Sequence, residues 1–123
     1  MKKTIIWSAV IVVLLVIVFI IIRNTNNPTD NKTKAAEQLY TSLGCGTCHG
    51  SDLSGTEKGP ALKDLSEYWT RDYLVMYLNN TTAFIDSSRM VKYQGKYKGF
   101  IMPSYDTVDV DELQMLADYL VKQ

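Results

Sequence analysis

Residues 43–50, LGCGTCHG, determine how the rest of this 123-residue chain is interpreted. The stretch contains both cysteines and the single histidine of the sequence, namely Cys45, Cys48 and His49. Two thiols and an imidazole therefore lie within five consecutive positions, so that one turn of chain can bring all three side chains to the same place. This grouping indicates a shared chemical purpose.

The C-x-x-C-H spacing is the attachment signature of a c-type haem. In such a site two thiols form thioethers with the haem vinyl groups, and the adjacent histidine becomes the proximal ligand of the iron. One turn of chain must place both sulfurs along one porphyrin edge while the next residue directs its imidazole at the iron. The sequence therefore predicts one covalent haem c, attached at Cys45 and Cys48, with His49 as an iron ligand.

Three other uses of these residues compete with haem. A structural zinc site takes four ligands, usually Cys or His, and the chain offers three. A disulfide between Cys45 and Cys48 would close a very small loop and stabilise little. A catalytic dithiol is the most serious alternative, because CGTC looks like the redox pair of thioredoxin-like proteins. That motif normally lies in a βαβ context, which the sequence does not predict, but an extracytoplasmic thiol-disulfide oxidoreductase remains an alternative.

The N-terminus carries an uncharged apolar run at residues 4–22. A helix of that length spans roughly 28 Å, close to the hydrocarbon thickness of a bilayer. No small-residue cleavage site follows it, which favours a retained anchor over a signal peptide. Lys2 and Lys3 precede the run and Arg23 follows it, so the charge balance places the N-terminus in the cytoplasm. We expect residues 1–23 to form a single-pass transmembrane anchor in a bacterial cytoplasmic membrane, with the remainder on the extracytoplasmic (periplasmic) side.

The composition changes abruptly after the apolar run. Residues 24–34, NTNNPTDNKTK, have no apolar side chain except Pro28, which predicts a flexible polar tether. We expect the folded domain to span residues 35–123. From residue 24 onward the chain has ten Lys and Arg against 13 Asp and Glu, a net charge of −3. This value argues against a nucleic-acid partner, because phosphate binding needs a basic surface.

Helical periodicity marks three segments of the domain. Apolar side chains recur at helical spacing in residues 34–43, 71–78 and 110–122. Thr70 and Asp109 are typical N-caps for the second and third of these helices. No alternating strand pattern is present, so the sequence predicts an all-α domain.

The three predicted helices leave a segment of about thirty residues, 79–109, as a long loop. Ordered loops longer than roughly 12 to 15 residues usually have a special reason, and a domain this small builds only a thin protein core. We therefore expect a large apolar group to lie inside the domain, which agrees with the haem motif.

From about residue 36 to residue 122 the sequence resembles a class I c-type cytochrome, a monohaem electron carrier. The matching pieces are, in chain order, Tyr40, CGTCHG at 45–50, GPAL at 59–62, the helix after Trp69, IMPSY at 101–105 and LADYL at 116–120. The resemblance implies a small cytochrome c-like helical domain built around one covalent haem. It covers nearly the whole external part of the chain and does not cover the anchor.

The resemblance implies a methionine as the second axial ligand of the iron, and ligation by two histidines of this chain is excluded because it contains no second histidine. The N-terminal methionine lies on the cytoplasmic side, and Met76 and Met115 fall within predicted helices, where methionine more often fills gaps in the core. Met90 and Met102 remain in the predicted loop. Pro103 stiffens the backbone after Met102, and the resemblance implies a ligand in an M-P pair ahead of the last helix. We therefore expect Met102 to bind the iron, with Met90 as the alternative.

The resemblance also implies that the Pro60 carbonyl accepts a hydrogen bond from His49, which would fix the tautomer of the imidazole. Leu62 and Ile101 are predicted among the apolar walls of the haem pocket. The predicted partners of the haem propionates are Trp69, Arg89, Tyr93 and Tyr97.

Coordination by histidine and methionine fills both axial positions, so the expected protein carries single electrons and is not an enzyme. The anchor predicts a membrane-bound shuttle between a quinol-oxidising complex and a terminal oxidase or reductase of a respiratory chain, with no small-molecule substrate. A fixed haem c subunit of a larger respiratory or catabolic oxidoreductase complex is the main alternative. A peroxidase or gas sensor would need an open sixth position on the iron.

Overall fold

The computed structural model describes residues 2–25 and 28–123. Within those ranges the chain forms six α-helices and two short 3₁₀ helices, and the only β pairing is an isolated bridge between Thr56 and Gly59. The predicted all-α fold is therefore confirmed. The chain divides into two compact units at the bond between Lys32 and Thr33.

The first unit contains helix α1, Lys2–Thr25. Its stretch Ile6–Arg23 has a mean hydropathy of 3.0 and is long and apolar enough to cross a membrane, and none of that stretch is buried by the protein. A signal sequence near an N-terminus has the same features. The composition of α1 therefore fits either a membrane span or a signal sequence.

Helix α2 spans Pro28–Ser42 and corrects the conformation expected before the domain. The predicted helix began at residue 34, whereas the observed one includes Pro28–Lys34 of the predicted flexible tether; Asn26 and Asn27 of that tether lie outside the described residues. Proline suits the first helical position because its N–H is not needed there, and Asp30 in the first turn interacts favourably with the helix dipole. Polar composition alone therefore did not exclude a helix.

Helices α4, Arg71–Asn79, and α6, Val110–Leu120, pack against each other in the second unit. The predicted N-caps are confirmed, because the side chains of Thr70 and Asp109 accept hydrogen bonds from backbone N–H groups in the first turns. The core side chains on these two helices are Leu74, Leu78, Leu113, Leu116, Ala117 and Leu120. Arg71 of α4 also forms an ion pair of 2.9 Å with Asp118 of α6.

The segment 79–109 is not the uninterrupted loop that the sequence predicted. It contains a 3₁₀ helix, Thr81–Phe84, and helix α5, Ser88–Lys96, whose N-cap Ser87 accepts a hydrogen bond from the Met90 N–H. None of the residues of α5 is buried. Helix α5 is nine residues long and mostly polar, so it offers few apolar side chains from which a helix could be predicted, which explains why it was missed.

Candidate functional site

The C-x-x-C-H residues lie on a single helical turn, α3, Gly46–His49, directly after Cys45. The N–H of His49 donates to the carbonyl of Cys45 at 3.0 Å, which places these two residues one above the other on the turn. Cys45 and His49 are buried and Cys48 is half-buried. No disulfide joins Cys45 and Cys48, so the disulfide considered from the sequence is not formed.

Three successive carbonyl groups of this turn are held by hydrogen bonds from the surrounding chain. The pairs are Thr56 hydroxyl to Cys48 carbonyl at 2.7 Å, Gly55 N–H to His49 carbonyl at 2.8 Å, and Tyr40 hydroxyl to Gly50 carbonyl at 2.7 Å. Each bond satisfies a carbonyl that a helix end would otherwise leave unpaired. The backbone that carries the two thiols and the imidazole is therefore fixed from both sides.

The predicted contact between His49 and Pro60 is present, with His49 Nδ1 lying 2.7 Å from the Pro60 carbonyl oxygen. A carbonyl oxygen only accepts hydrogen bonds, so Nδ1 carries the proton and Nε2 keeps a lone pair. Burial lowers the pKa of His49, and the hydrogen bond to Pro60 opposes this effect. The neutral imidazole with a free Nε2 is the form that binds a metal ion.

Gly59 permits the close approach of the Gly-Pro pair to the haem motif. A Cβ atom added at Gly59 would lie 3.0 Å from the carbonyl oxygen and 3.2 Å from the Cβ of Cys48. Both distances are shorter than ordinary van der Waals contacts. The absence of a side chain at Gly59 is therefore what allows Pro60 to reach His49.

Met102 is half-buried and packs against the core of the second unit. The hydroxyl of Tyr77 on α4 donates a hydrogen bond to its sulfur at 3.4 Å. Burial raises the pKa of Tyr77, which keeps this hydroxyl protonated as a donor. No sequence pattern indicated this contact, because Tyr77 lies within the helical apolar periodicity of residues 71–78 and is separated from Met102 by 25 positions. Met90, the alternative ligand, lies on α5, which buries none of its residues.

The segment that contains Met102 also approaches the cysteine turn. The hydroxyl of Tyr105 lies 3.9 Å from Cys45 Sγ, and the N–H of Tyr105 donates to the Leu78 carbonyl at 2.9 Å. Burial raises the pKa of the Cys45 thiol. Tyr105 therefore connects the predicted attachment residue Cys45 to α4 and to the segment of the predicted ligand Met102.

An aromatic cluster lies beside Tyr77. The Trp69 ring is 5.0 Å from the Tyr77 ring and 5.5 Å from the Tyr73 ring, and Phe84 contacts both tyrosines edge-on at 5.5 and 5.1 Å. Aromatic pairs at these separations add to the stability that burial alone gives. The cluster offers an apolar surface beside Tyr77, whose hydroxyl contacts the Met102 sulfur.

The remaining predicted pocket residues are placed as follows. Arg89 stacks over Trp69 with its guanidinium carbon 5.6 Å from the ring centre, and donates to the Tyr68 carbonyl at 3.2 Å. Tyr93 contacts the ring of Tyr97 at 6.2 Å. Leu62 packs against the core, whereas Ile101 is 85% exposed, so the polypeptide itself does not cover it. The structure thus brings Arg89 and Trp69 together and leaves the wall position of Ile101 as a prediction.

An all-helical domain that presents two thiols, a histidine with a free Nε2 and a methionine sulfur has the donor set of a monohaem protein of the c type. The family model for cytochrome c matches residues 33–123, and the chain belongs to the cytochrome c family. It is a class I c-type cytochrome with covalently attached haem c and its iron, and its role is that of a haem-based electron carrier. No curated protein and no solved structure gives a significant match to the chain.

Proposed function

We propose that this cytochrome is anchored to the cytoplasmic membrane and passes single electrons between respiratory chain complexes on its outer face. In this proposal the haem is attached through Cys45 and Cys48, and the iron is bound by His49 and Met102. The observation that carries the assignment of haem attachment and ligation is the 2.7 Å contact of His49 with Pro60, which leaves Nε2 unprotonated on the turn that bears both thiols.

When bound, the haem supplies one-electron chemistry at its iron. The protein's contribution is to orient the two side chains that would hold the iron, His49 and Met102. Pro60 fixes the tautomer of His49, and Tyr77 directs one lone pair of the Met102 sulfur toward its hydroxyl, leaving the other for a metal. With His49 and Met102 both holding the iron, a substrate would have no coordination site on it. This ligand set supports electron transfer and argues against catalysis at the metal.

We place the propionate partners near Trp69 and Arg89. The guanidinium of Arg89 uses one N–H toward the Tyr68 carbonyl and has further donors for an anion. Tyr93 lies on α5, the helix that carries Arg89. Leu62 and Ile101 remain the proposed apolar walls. Removing the Arg89 donor in Arg89→Met is expected to change the pH dependence of the reduction potential, while Lys92→Met on the same helix serves as the control.

The membrane anchor is proposed from the apolar stretch Ile6–Arg23 and from the two lysines that precede it in the sequence. The proposed arrangement is an anchor at residues 1–23, a connecting segment at 24–34 and a haem domain at 35–123. A quinol-oxidising complex and a terminal oxidase or reductase are the proposed redox partners.

Intact mass of the membrane-extracted protein under denaturing conditions, combined with visible spectra of both redox states, tests the attachment site. We expect one haem that survives denaturation and is lost when Cys45→Ser and Cys48→Ser are combined. A noncovalent haem, or an unchanged mass in the double variant, would contradict the attachment site.

The intact mass also tests the anchor, because a retained anchor keeps residues 1–23 in the mature protein. Extraction with alkaline carbonate is a second test, since an anchored protein stays in the membrane fraction. A mature chain that begins after residue 23 and is found in the soluble fraction would show that α1 is a signal sequence instead.

A further inference from the structure

A buried polar side chain, Thr81, lies in the turn after α4 and has no place in the proposed function so far. It is 8% exposed, and His49 is the other polar residue buried in the part of the chain that the structure describes. Thr81 begins the short 3₁₀ helix that leads toward α5. A buried hydroxyl requires hydrogen-bond partners, so the identity of those partners indicates what the residue does.

Three hydrogen bonds join Thr81 to the segment that contains Met102. Its hydroxyl lies 3.1 Å from the Met102 carbonyl oxygen and 2.9 Å from the Ser104 hydroxyl, and its backbone N–H donates to Ser104 Oγ at 3.0 Å. A carbonyl only accepts, so the single hydroxyl proton of Thr81 points at Met102 and Ser104 donates to Thr81 Oγ1. We name these three bonds the Thr81–Ser104 clamp.

The clamp forms hydrogen bonds with the residues on both sides of Pro103, since Met102 precedes this proline and Ser104 follows it. The Tyr105 N–H adds a bond to the Leu78 carbonyl at the end of α4. Meanwhile Tyr77, also on α4, binds the Met102 sulfur. The backbone end and the sulfur end of one methionine are thus both held by α4 and the turn that follows it.

We propose that Thr81 is a positioning residue for Met102, because the clamp holds the methionine backbone where its sulfur can bind the iron. This inference rests on the proposed assignment of Met102 as an axial ligand. The clamp also joins the two ends of the excursion formed by residues 82–101.

Imidazole binding to the ferric, full-length holoprotein in detergent measures how readily the sulfur leaves the iron. Imidazole can bind only after Met102 dissociates, so its apparent affinity rises with the fraction of dissociated protein. Thr81→Val keeps the size of the side chain but removes the hydroxyl. We expect about tenfold tighter apparent imidazole binding, which corresponds to about 1.4 kcal/mol. Thr81→Ser restores the hydroxyl and is expected to bind imidazole nearly as the wild type does.

Two controls separate positioning from general stability. Thr82→Val changes the next residue, which is exposed and bonds Asn80 instead, and is expected to leave imidazole binding unchanged. Leu116→Ala weakens the core at a fully buried site outside the clamp. If Leu116→Ala tightened imidazole binding as much as Thr81→Val, the effect would report global stability and the proposal would be wrong.

Ser104→Ala removes the side-chain bonds from the opposite side of the clamp and serves as the second variant if Thr81→Val does not fold. Wild-type imidazole affinity in both clamp variants would overturn the proposal. Met102→Ala distinguishes an error in the ligand assignment from an error in the proposed role of Thr81. If Met102→Ala binds imidazole no more tightly than the wild type, the ligand assignment is wrong. If it binds tightly while the clamp variants do not, only the role of Thr81 is wrong.

Discussion

The hydrogen bond from Tyr77 to the Met102 sulfur predicts how the protein adjusts its reduction potential. A donor at 3.4 Å from the sulfur withdraws electron density from it, which weakens its support of ferric iron more than of ferrous iron. Tyr77→Phe removes this donor while keeping the ring within the aromatic cluster. The variant is therefore expected to have a lower reduction potential than the wild type.

The size of the shift follows from the strength of that bond. A typical protein hydrogen bond contributes about 1 kcal/mol net, and for a one-electron couple 59 mV corresponds to about 1.4 kcal/mol. If all of the bond were lost on oxidation the shift would be about 40 mV, so we expect a decrease of about 20 to 40 mV.

Potentiometric titration monitored by visible absorption measures this shift. Tyr73→Phe is the matched control, because Tyr73 belongs to the same aromatic cluster but is exposed, and the bond to Met102 comes from Tyr77. We expect the Tyr73 variant to keep the wild-type potential. An unchanged or higher potential in Tyr77→Phe, with Met102 still bound to the iron, would refute the reasoning.

Three further predictions concern stability. Gly59→Ala is expected to lower the free energy of unfolding by about 1 to 3 kcal/mol, because the new Cβ would overlap the backbone of Cys48. Urea titration measures this change, and an unchanged midpoint would contradict the close approach of Gly59 to Cys48. Leu116→Ala, at a site with no exposure, is expected to destabilise the protein by about 3 to 5 kcal/mol in the same assay, and a loss below about 1 kcal/mol would mean that the site collapses around the gap. Burial raises the pKa of Tyr40 above its unfolded value. The neutral phenol therefore contributes stability that is fully present below pH of about 10 and is lost at higher pH. Urea titrations across alkaline pH are expected to show this loss, with a shallower decline in Tyr40→Phe.

The features that the sequence predicted correctly depend on residues that lie close together along the chain. The haem turn at Cys45–His49 and the N-caps Thr70 and Asp109 depend on neighbours within a few positions, and the structure contains them. Pro60, eleven positions after His49, was found only because the family resemblance implied it. Local patterns therefore accounted for the helices and the attachment motif.

The contacts that the sequence did not reveal join distant residues. Tyr77 and Met102 lie 25 positions apart, and Thr81 and Ser104 lie 23 apart, so no spacing rule connects them. Helix α5 was missed because it is short and mostly polar, and the start of α2 was missed because polar residues can continue a helix that an apolar face begins. These features depend on tertiary packing or on intrinsic helix formation, which apolar periodicity does not report.

The hydrogen bonds to the three carbonyl groups of Cys48, His49 and Gly50 have a consequence for the order of folding. The bonds that hold this turn connect Tyr40, Gly55 and Thr56 to residues at most ten positions away. The Met102 side instead requires closure of a long chain excursion, which is slower because loop closure loses more entropy. We therefore expect the histidine side to assemble early and to open late under denaturant. The methionine side would form last and open first.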